Sequence, residues 1–248
     1  MKILWLALTA LLITSGSAHA YCRRTACDGK PAKVCEPAMP EDCGAPAHWT
    51  ERLISYDVAA TATGEIDYSA AMARAFAAWA AADCGDGRHP SMSMLPRVVP
   101  HPETTPARGR VLIGDVPVDP HDGKLAQTTL KFSPKTGAVI GARTTFYATM
   151  LKSHGAGAFL DALALHEAGH FLGLAHSEDA AAVMAAAAHD GGDVRAALTA
   201  DDAAAVCAQF PPAAAPKAET SPLVMAAVIA ALVVLIGAAG LWWLKRKR

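Results

Sequence analysis

The sequence predicts a small α+β domain followed by one C-terminal transmembrane helix. Two observations carry this. Between Ala45 and Pro211, short runs with strand-like alternation interleave with longer runs at helical spacing, in the order strand, helix, several strands, helix, loop, helix. After Pro222, an unbroken apolar stretch from Leu223 to Leu244 is long enough to cross a bilayer as a helix. The elements follow in order. Leu53 to Val58 alternates apolar and polar residues behind Trp49 and reads as a strand. Tyr68 to Ala82 is rich in alanine, with Met72, Phe76 and Trp79 on one helical face. Cys84 to Pro106, crowded with Pro, Gly and His, is expected to be irregular, and Arg110 to Gly114 is a short apolar strand. Leu125 to Phe132 and Ala138 to Tyr147 are two further strands, joined by the turn Ser133-Pro134-Lys135-Thr136-Gly137. Gly157 to Leu172 is a helix that Gly173 stops, and Leu198 to Phe210 is a last helix with Thr199 as N-cap.

The two ends of the chain differ in kind from this middle. Lys2, the apolar run Ile3 to Ile13 and the small-x-small triplet Ala18-His19-Ala20 have the pattern of a signal peptide, residues 1–20, cut before Tyr21. Residues 21–44 read as a Cys-rich N-terminal extension and 45–210 as the main α+β domain, followed by a Pro/Ala-rich linker at 211–222, the apolar span 223–244 and a basic tail 245–248. Trp242 and Trp243 fall where an interfacial aromatic belt would lie. The tail Lys245–Arg248 then belongs in the cytoplasm and the domain outside, anchored in the cell membrane. A sorting tail removed after export would leave the same pattern. Six cysteines lie between the two apolar segments: Cys22, Cys27, Cys35, Cys43, Cys84 and Cys207. An even number in an exported chain predicts up to three disulfides; the first four would staple the extension, and a Cys84–Cys207 bridge would tie the first helix to the last.

Charge excludes one class of partner. The formal net charge is −1, but five of the 22 basic residues lie in terminal segments that hold no acid, which leaves 17 basic against 23 acidic groups in the body. A mildly acidic body without a basic stripe gives no footing for nucleic acid.

The chemistry concentrates in His166-Glu167-Ala168-Gly169-His170-Phe171-Leu172-Gly173-Leu174-Ala175-His176. His166 and His170, four residues apart on a helix, present two imidazoles on one face to a single metal ion. Glu167 is beside them, able to reach a metal-bound water without being a ligand. Catalytic zinc takes three protein ligands and keeps a fourth position open. Gly173 permits the positive φ that ends the helix, and the reversed chain brings His176 back as the third ligand. A histidine pair alone would more often be packed or solvated; the added Glu167, Gly173 and His176 at matching offsets make that reading untenable.

This run resembles the elongated zinc signature of the metzincin metalloproteases. Ser177 after the third histidine, and the spacing from His176 to Met184, resemble the matrixin branch, in which a methionine on a tight turn lies under the zinc. Leu198-Thr199-Ala200-Asp201-Asp202 is similar to the start of the matrixin C-terminal helix. Trp49, Ile54-Ser55-Tyr56 and Phe76-Ala77-Ala78-Trp79 are similar to the first strand and first helix. Leu125-Ala126-Gln127-Thr128-Thr129-Leu130 resembles the edge strand along which such enzymes lay substrate, so Ala126, Gln127 and Thr128 are candidate substrate contacts. There are two departures. Ala186 stands where matrixins usually carry proline, and no tyrosine follows Met184 closely as it does in astacin-like relatives.

The resemblance implies a zincin-type catalytic domain with a twisted mixed sheet and three main helices. It also implies a zinc endopeptidase acting on extracytoplasmic proteins or peptides. In that reading His166, His170 and His176 hold one zinc ion, a zinc-activated water attacks, and Glu167 is the general base. Two further features stay open at this point. Cys43, in Pro40-Glu41-Asp42-Cys43-Gly44-Ala45-Pro46, resembles the cysteine switch of matrixin zymogens, yet it has Cys22, Cys27 and Cys35 as disulfide partners. Asp115, Asp119, His121 and Asp122 are candidates for a structural calcium or second zinc ion.

Overall fold

The computed structural model describes residues 20–27, 29–35, 43–59, 66–99, 125–147, 151, 158–186 and 195–213, with the single positions 242 and 246. The strand expected at Arg110–Gly114, the Asp115–Asp122 set, residues 1–19 and the apolar run Leu223–Leu244, apart from Trp242, lie outside the described residues. Among the described residues no helix is long and apolar enough to cross a membrane. Met1–Pro212 and Ala213–Arg248 cluster as separate units. Within the second, the Arg246 guanidinium lies 5.0 Å from the centre of the Trp242 ring.

In the first unit the order is β1 (Cys22–Cys27), β2 (Lys30–Cys35), β3 (Leu53–Ala59), α1 (Tyr68–Ala80), β4 (Ser93–Val99), β5 (Ala126–Phe132), β6 (Val139–Phe146), α2 (Ala158–Leu172), β7 (Leu174–Ala175) and α3 (Ala200–Gln209). The mixed α+β character and the three helices agree with the sequence. The helix ends that differ, Ala80 for α1, Ala158 for α2 and Ala200 and Gln209 for α3, shift by one or two residues, the usual latitude of a fraying terminus.

β4 is a correction. The stretch from Cys84 to Pro106, expected to be irregular, contains a strand that pairs in parallel with β3, Leu53 opposite Ser93 through Ala59 opposite Val99. Pro96 argued against a strand because it cannot donate to a ladder. β3 is the only strand paired with β4 among the described residues, and an edge strand tolerates proline. Among the described residues there are three small sheets: parallel β3–β4, antiparallel β5–β6, and antiparallel β2–β1–β7.

α2 organises the core. Its sequence is apolar nearly all round, as suits a helix packed on every side. Leu160, Leu163, Ala164, Leu165, Ala168, Phe171 and Leu172 are all buried. Phe76 of α1 meets Phe171 at 5.2 Å between ring centroids, Tyr56 of β3 meets Phe76 at 5.1 Å, and Trp49 stacks on Phe171 at 5.4 Å. The two buried indoles are satisfied by the helix itself: Trp79 Nε1 donates to Leu165 O at 2.8 Å and Trp49 Nε1 to Phe171 O at 2.9 Å. Gln209 Nε2 donates to Leu172 O at 3.0 Å and to Ala47 O at 2.6 Å. The last carbonyls of α2 are thus bonded by side chains from elsewhere in the fold, where a helix C-terminus would otherwise leave them without partners.

All six cysteines are paired, as Cys22–Cys35, Cys27–Cys43 and Cys84–Cys207. The first two staple the N-terminal hairpin and the third ties the segment after α1 to α3, as expected. Cys43 therefore has no thiol to offer a metal in this state, which overturns the resemblance to a cysteine switch. The hairpin is built into the fold: β1 pairs with β7, Cys22 opposite Ala175 and Arg23 opposite Leu174.

Candidate metal centre

The turn at the end of α2 is set by Gly173, whose φ of +109° belongs to the left-handed region that glycine adopts without strain. A Cβ there would also press on Ala47 O and the Gln209 amide. The reversal carries the chain through β7 and returns His176 to the face of α2 that bears His166 and His170. One ring nitrogen from each of the three histidines lies within 4.8 Å of the others.

Two of the imidazoles are oriented by the backbone. His166 Nδ1 is 2.6 Å from Val183 O, and His170 Nδ1 is 2.9 Å from Leu174 O. A carbonyl only accepts, so each Nδ1 carries the proton and each Nε2 presents a lone pair. His170 Nε2 and His176 Nε2 are 3.1 Å apart. Two nitrogens bound tetrahedrally to one zinc at ~2.05 Å would stand about 3.3 Å apart, so the spacing is that of shared ligation. Burial holds His170 well below its ordinary pKa, with the charges of His166 and Arg24 acting in the same direction. It is therefore the neutral base a metal requires. The donor set fits zinc.

Glu167 is fully buried beside this cluster. Its Oε2 accepts from Thr128 Oγ1 at 2.5 Å, and Thr128 Oγ1 lies 2.9 Å from Thr144 Oγ1. With the Thr128 proton given to the carboxylate, Thr144 is the donor of the second bond. Burial pushes the Glu167 carboxyl up to about 7, against the Thr128 bond and the Arg24 charge, which pull it down.

Beneath the cluster is the methionine. Met184 is buried, and its Sδ lies so close to Gly169 that a Cβ on that glycine would collide with it and with Trp79. The turn holding Met184 is fixed from α3. The Asp202 carboxylate accepts Val183 N at 2.9 Å and Met184 N at 3.2 Å, as well as Thr199 N at 2.9 Å in a capping box. Asp201 accepts Ala20 N at 2.6 Å and Ser177 Oγ at 2.7 Å.

His166, Glu167, His170, His176, Gly173 and Met184 are thus brought together. Of the substrate candidates, Ala126 and Thr128 turn inward and are buried, while Gln127 faces outward and its Oε1 accepts from Tyr147 Oη at 3.3 Å. Sequence reasoning placed Thr128 on a substrate-facing edge; its side chain serves Glu167 instead. It also passed over Asp202, although the Thr199–Asp202 capping pattern was visible. Gly169 and Arg24 were not singled out, and nothing local marks them. The Asp115–Asp122 candidates lie outside the described residues. The other cluster of ligand-type side chains, Cys22, Cys35 and Glu178, contains a disulfide and so offers no thiolate.

A helix carrying two histidines and a buried carboxylate, with a third histidine returned by a glycine turn, forms a three-nitrogen donor set suited to a metal ion. Residues 113–210 match the family model of the matrixins, so this stretch is similar to the matrixins, a likeness that supports a zinc metallopeptidase. No curated relative matches the sequence.

Proposed function

We propose that the protein is a zinc endopeptidase that cleaves extracytoplasmic proteins or peptides, with His166, His170 and His176 as zinc ligands and Glu167 as general base. The observation that carries this reading is the convergence of the three imidazoles within 4.8 Å beside the fully buried Glu167. Zinc at the triad supplies a Lewis acid that lowers the pKa of a water and polarises a peptide carbonyl. The Nδ1 bonds to Val183 O and Leu174 O hold two of the rings in ligating orientation. Glu167 accepts the proton of the attacking water and returns it to the leaving amine. The Thr128 hydroxyl keeps the carboxylate aimed while it does so. Substrate lies extended along β5, whose outward residue Gln127 faces solvent.

The protein is exported and anchored by Leu223–Leu244, with the tail Lys245–Arg248 in the cytoplasm. Its three disulfides suit an oxidising compartment. The test is cleavage of an unfolded protein by the full chain with zinc, with a chelator, and as Glu167→Gln. Chelation should stop cleavage, zinc should restore it, and the variant should bind zinc stoichiometrically without turnover. A wild type that binds no zinc overturns the reading.

A further inference from the structure

The N-terminal hairpin brings a charged side chain to the metal centre. Arg24 lies on β1, which pairs with β7, and both sides of its backbone are fixed: Arg24 N donates to Gly173 O at 3.1 Å and Arg24 O accepts from Ala47 N at 2.7 Å. The Cys22–Cys35 and Cys27–Cys43 bridges clamp the strand on either side. Its side chain lines a cavity of about 420 Å³, together with Ala32 and Lys33 of β2 and with His170, His176 and Ala186. The metal centre and the hairpin are therefore two walls of one cavity. Among the described residues none of its lining groups is acidic.

Arg24 is in an unusual condition. Its Nε is buried and has no hydrogen-bond partner among the described residues. A guanidinium is a fork of five donors whose best partner is a carboxylate taken bidentately, and shutting one of those donors away from water without a partner is costly. Glu167 is near enough to influence its charge, and Thr128 holds the Oε2 of that carboxyl. Lys33, the second cation, makes a 3.8 Å pair with Glu178 in which both side chains are largely exposed, a contact that competes weakly for the ammonium.

We propose that Arg24, assisted by Lys33, forms a carboxylate-binding subsite beside the metal centre, so that the enzyme selects peptides bearing an acidic side chain or a free C-terminus next to the bond it cleaves. The subsite deepens the peptidase reading and rests on it. The N-terminal hairpin is then a specificity element, and the missing partner of the Arg24 fork comes with the substrate.

The test separates this from the peptidase reading by measuring binding as well as cleavage. Capped alanine peptides carrying one Glu or one Gln, and matched peptides ending in a free acid or an amide, are titrated calorimetrically into the zinc-loaded full chain. Arg24→Gln, Arg24→Lys and Lys33→Glu are compared with the parent Glu167→Gln chain, in which no peptide is consumed. One acidic series should bind the parent about ten- to a hundredfold more tightly than its neutral match. Arg24→Gln should abolish that preference, Arg24→Lys should keep part of it, and Lys33→Glu should abolish it by placing an internal carboxylate directly opposite Arg24 across the β1–β2 pair. The preferred series tells side chain from chain terminus. Equal binding of acidic and neutral peptides to the parent overturns the subsite even if the wild type cleaves. An acid preference that survives both Arg24→Gln and Lys33→Glu overturns it as well, since the metal alone would then hold the carboxylate. Acid-selective binding that needs Arg24, in a wild type that cleaves nothing, upholds the subsite and removes the peptidase.

Discussion

Thr128 Oγ1 lies 2.5 Å from Glu167 Oε2, so β5 fastens the candidate general base through one hydroxyl proton. Replacing Thr128 by Val keeps the shape and removes the bond. A hydrogen bond to a charged acceptor contributes about 1.5–3 kcal/mol. Thr128→Val should therefore lower kcat/KM by about ten- to a hundredfold while zinc stoichiometry is unchanged, and Thr128→Ser should restore most of it. Unaltered turnover in Thr128→Val would show that the bond does not serve catalysis.

Burial of Glu167 makes the metal-free protein sensitive to pH. The carboxyl rises from its ordinary 4.5 to about 7 on folding. Between these values the folded chain holds a proton that the unfolded chain has lost, so stability falls as pH climbs through that window and levels off above it. The loss amounts to about 3 kcal/mol. His170, whose pKa folding depresses, acts oppositely: its contribution is lost as pH falls below its ordinary 6.5. In melts of chelator-treated protein, Glu167→Gln should be more stable than wild type at about pH 8, and the gap should close towards pH 4.5. A variant no more stable than wild type at about pH 8 would contradict this account.

The carboxylate of Asp202 joins three parts of the fold. It caps α3, holds the amides of Val183 and Met184, and thereby fixes the carbonyl that orients His166. Asp202→Asn keeps the size and loses the charge and half the acceptor capacity. We expect a stability loss of about 2–4 kcal/mol and zinc affinity weaker by about ten- to a hundredfold. Both are read directly, by denaturant titration and by competition with a zinc indicator. Normal zinc affinity in a destabilised variant would confine Asp202 to a purely structural role.

Gly169 has no room for a methyl group. Met184 Sδ and Trp79 Cζ2 occupy the place where the Cβ would go. Gly169→Ala favours the helix intrinsically, yet overpacking should outweigh that and destabilise the protein by about 1–3 kcal/mol. Pairing it with Met184→Ala should recover part of the loss, because the space is then shared; a purely additive double variant would refute the contact.

The Cys84–Cys207 bridge closes the longest covalent loop, with a sequence separation of 123. Its removal as Cys84→Ser with Cys207→Ser should cost about 2–5 kcal/mol on a chain-entropy account. The zinc site should survive in the folded fraction. Thermal melts with and without zinc would measure both effects.

What was readable in the sequence depended on range. His166, His170, Gly173 and Thr199 act through neighbours a few residues away, and helical spacing, a positive φ and a cap declare themselves locally. The β5–β6 hairpin was readable for the same reason: Gly137, with φ +74°, marks its turn. β4 was missed because Pro96 weakens the strand pattern; among the described residues it pairs on one side only, where a proline is tolerated. For β5, alternation shows that Ala126 and Thr128 share a face but not which face is the inside. Arg24 reaches the centre because β1 pairs with β7, a contact between distant parts of the chain.

That same pairing bears on the order of assembly. β1 is synthesised early, but its partner Leu174–Ala175 comes after most of the domain. The strand must wait, edge unsatisfied, until the helix and the glycine turn exist, and closing so long a loop is slow. A fragment trimmed to begin at residue 45 would spare the chain that wait. It would also strip Gly173 O and Ala47 N of their partners in β1 and leave the strand leading into His176 bare along one side. The hairpin is thus the final clasp of the metal loop, closed last although it is made first.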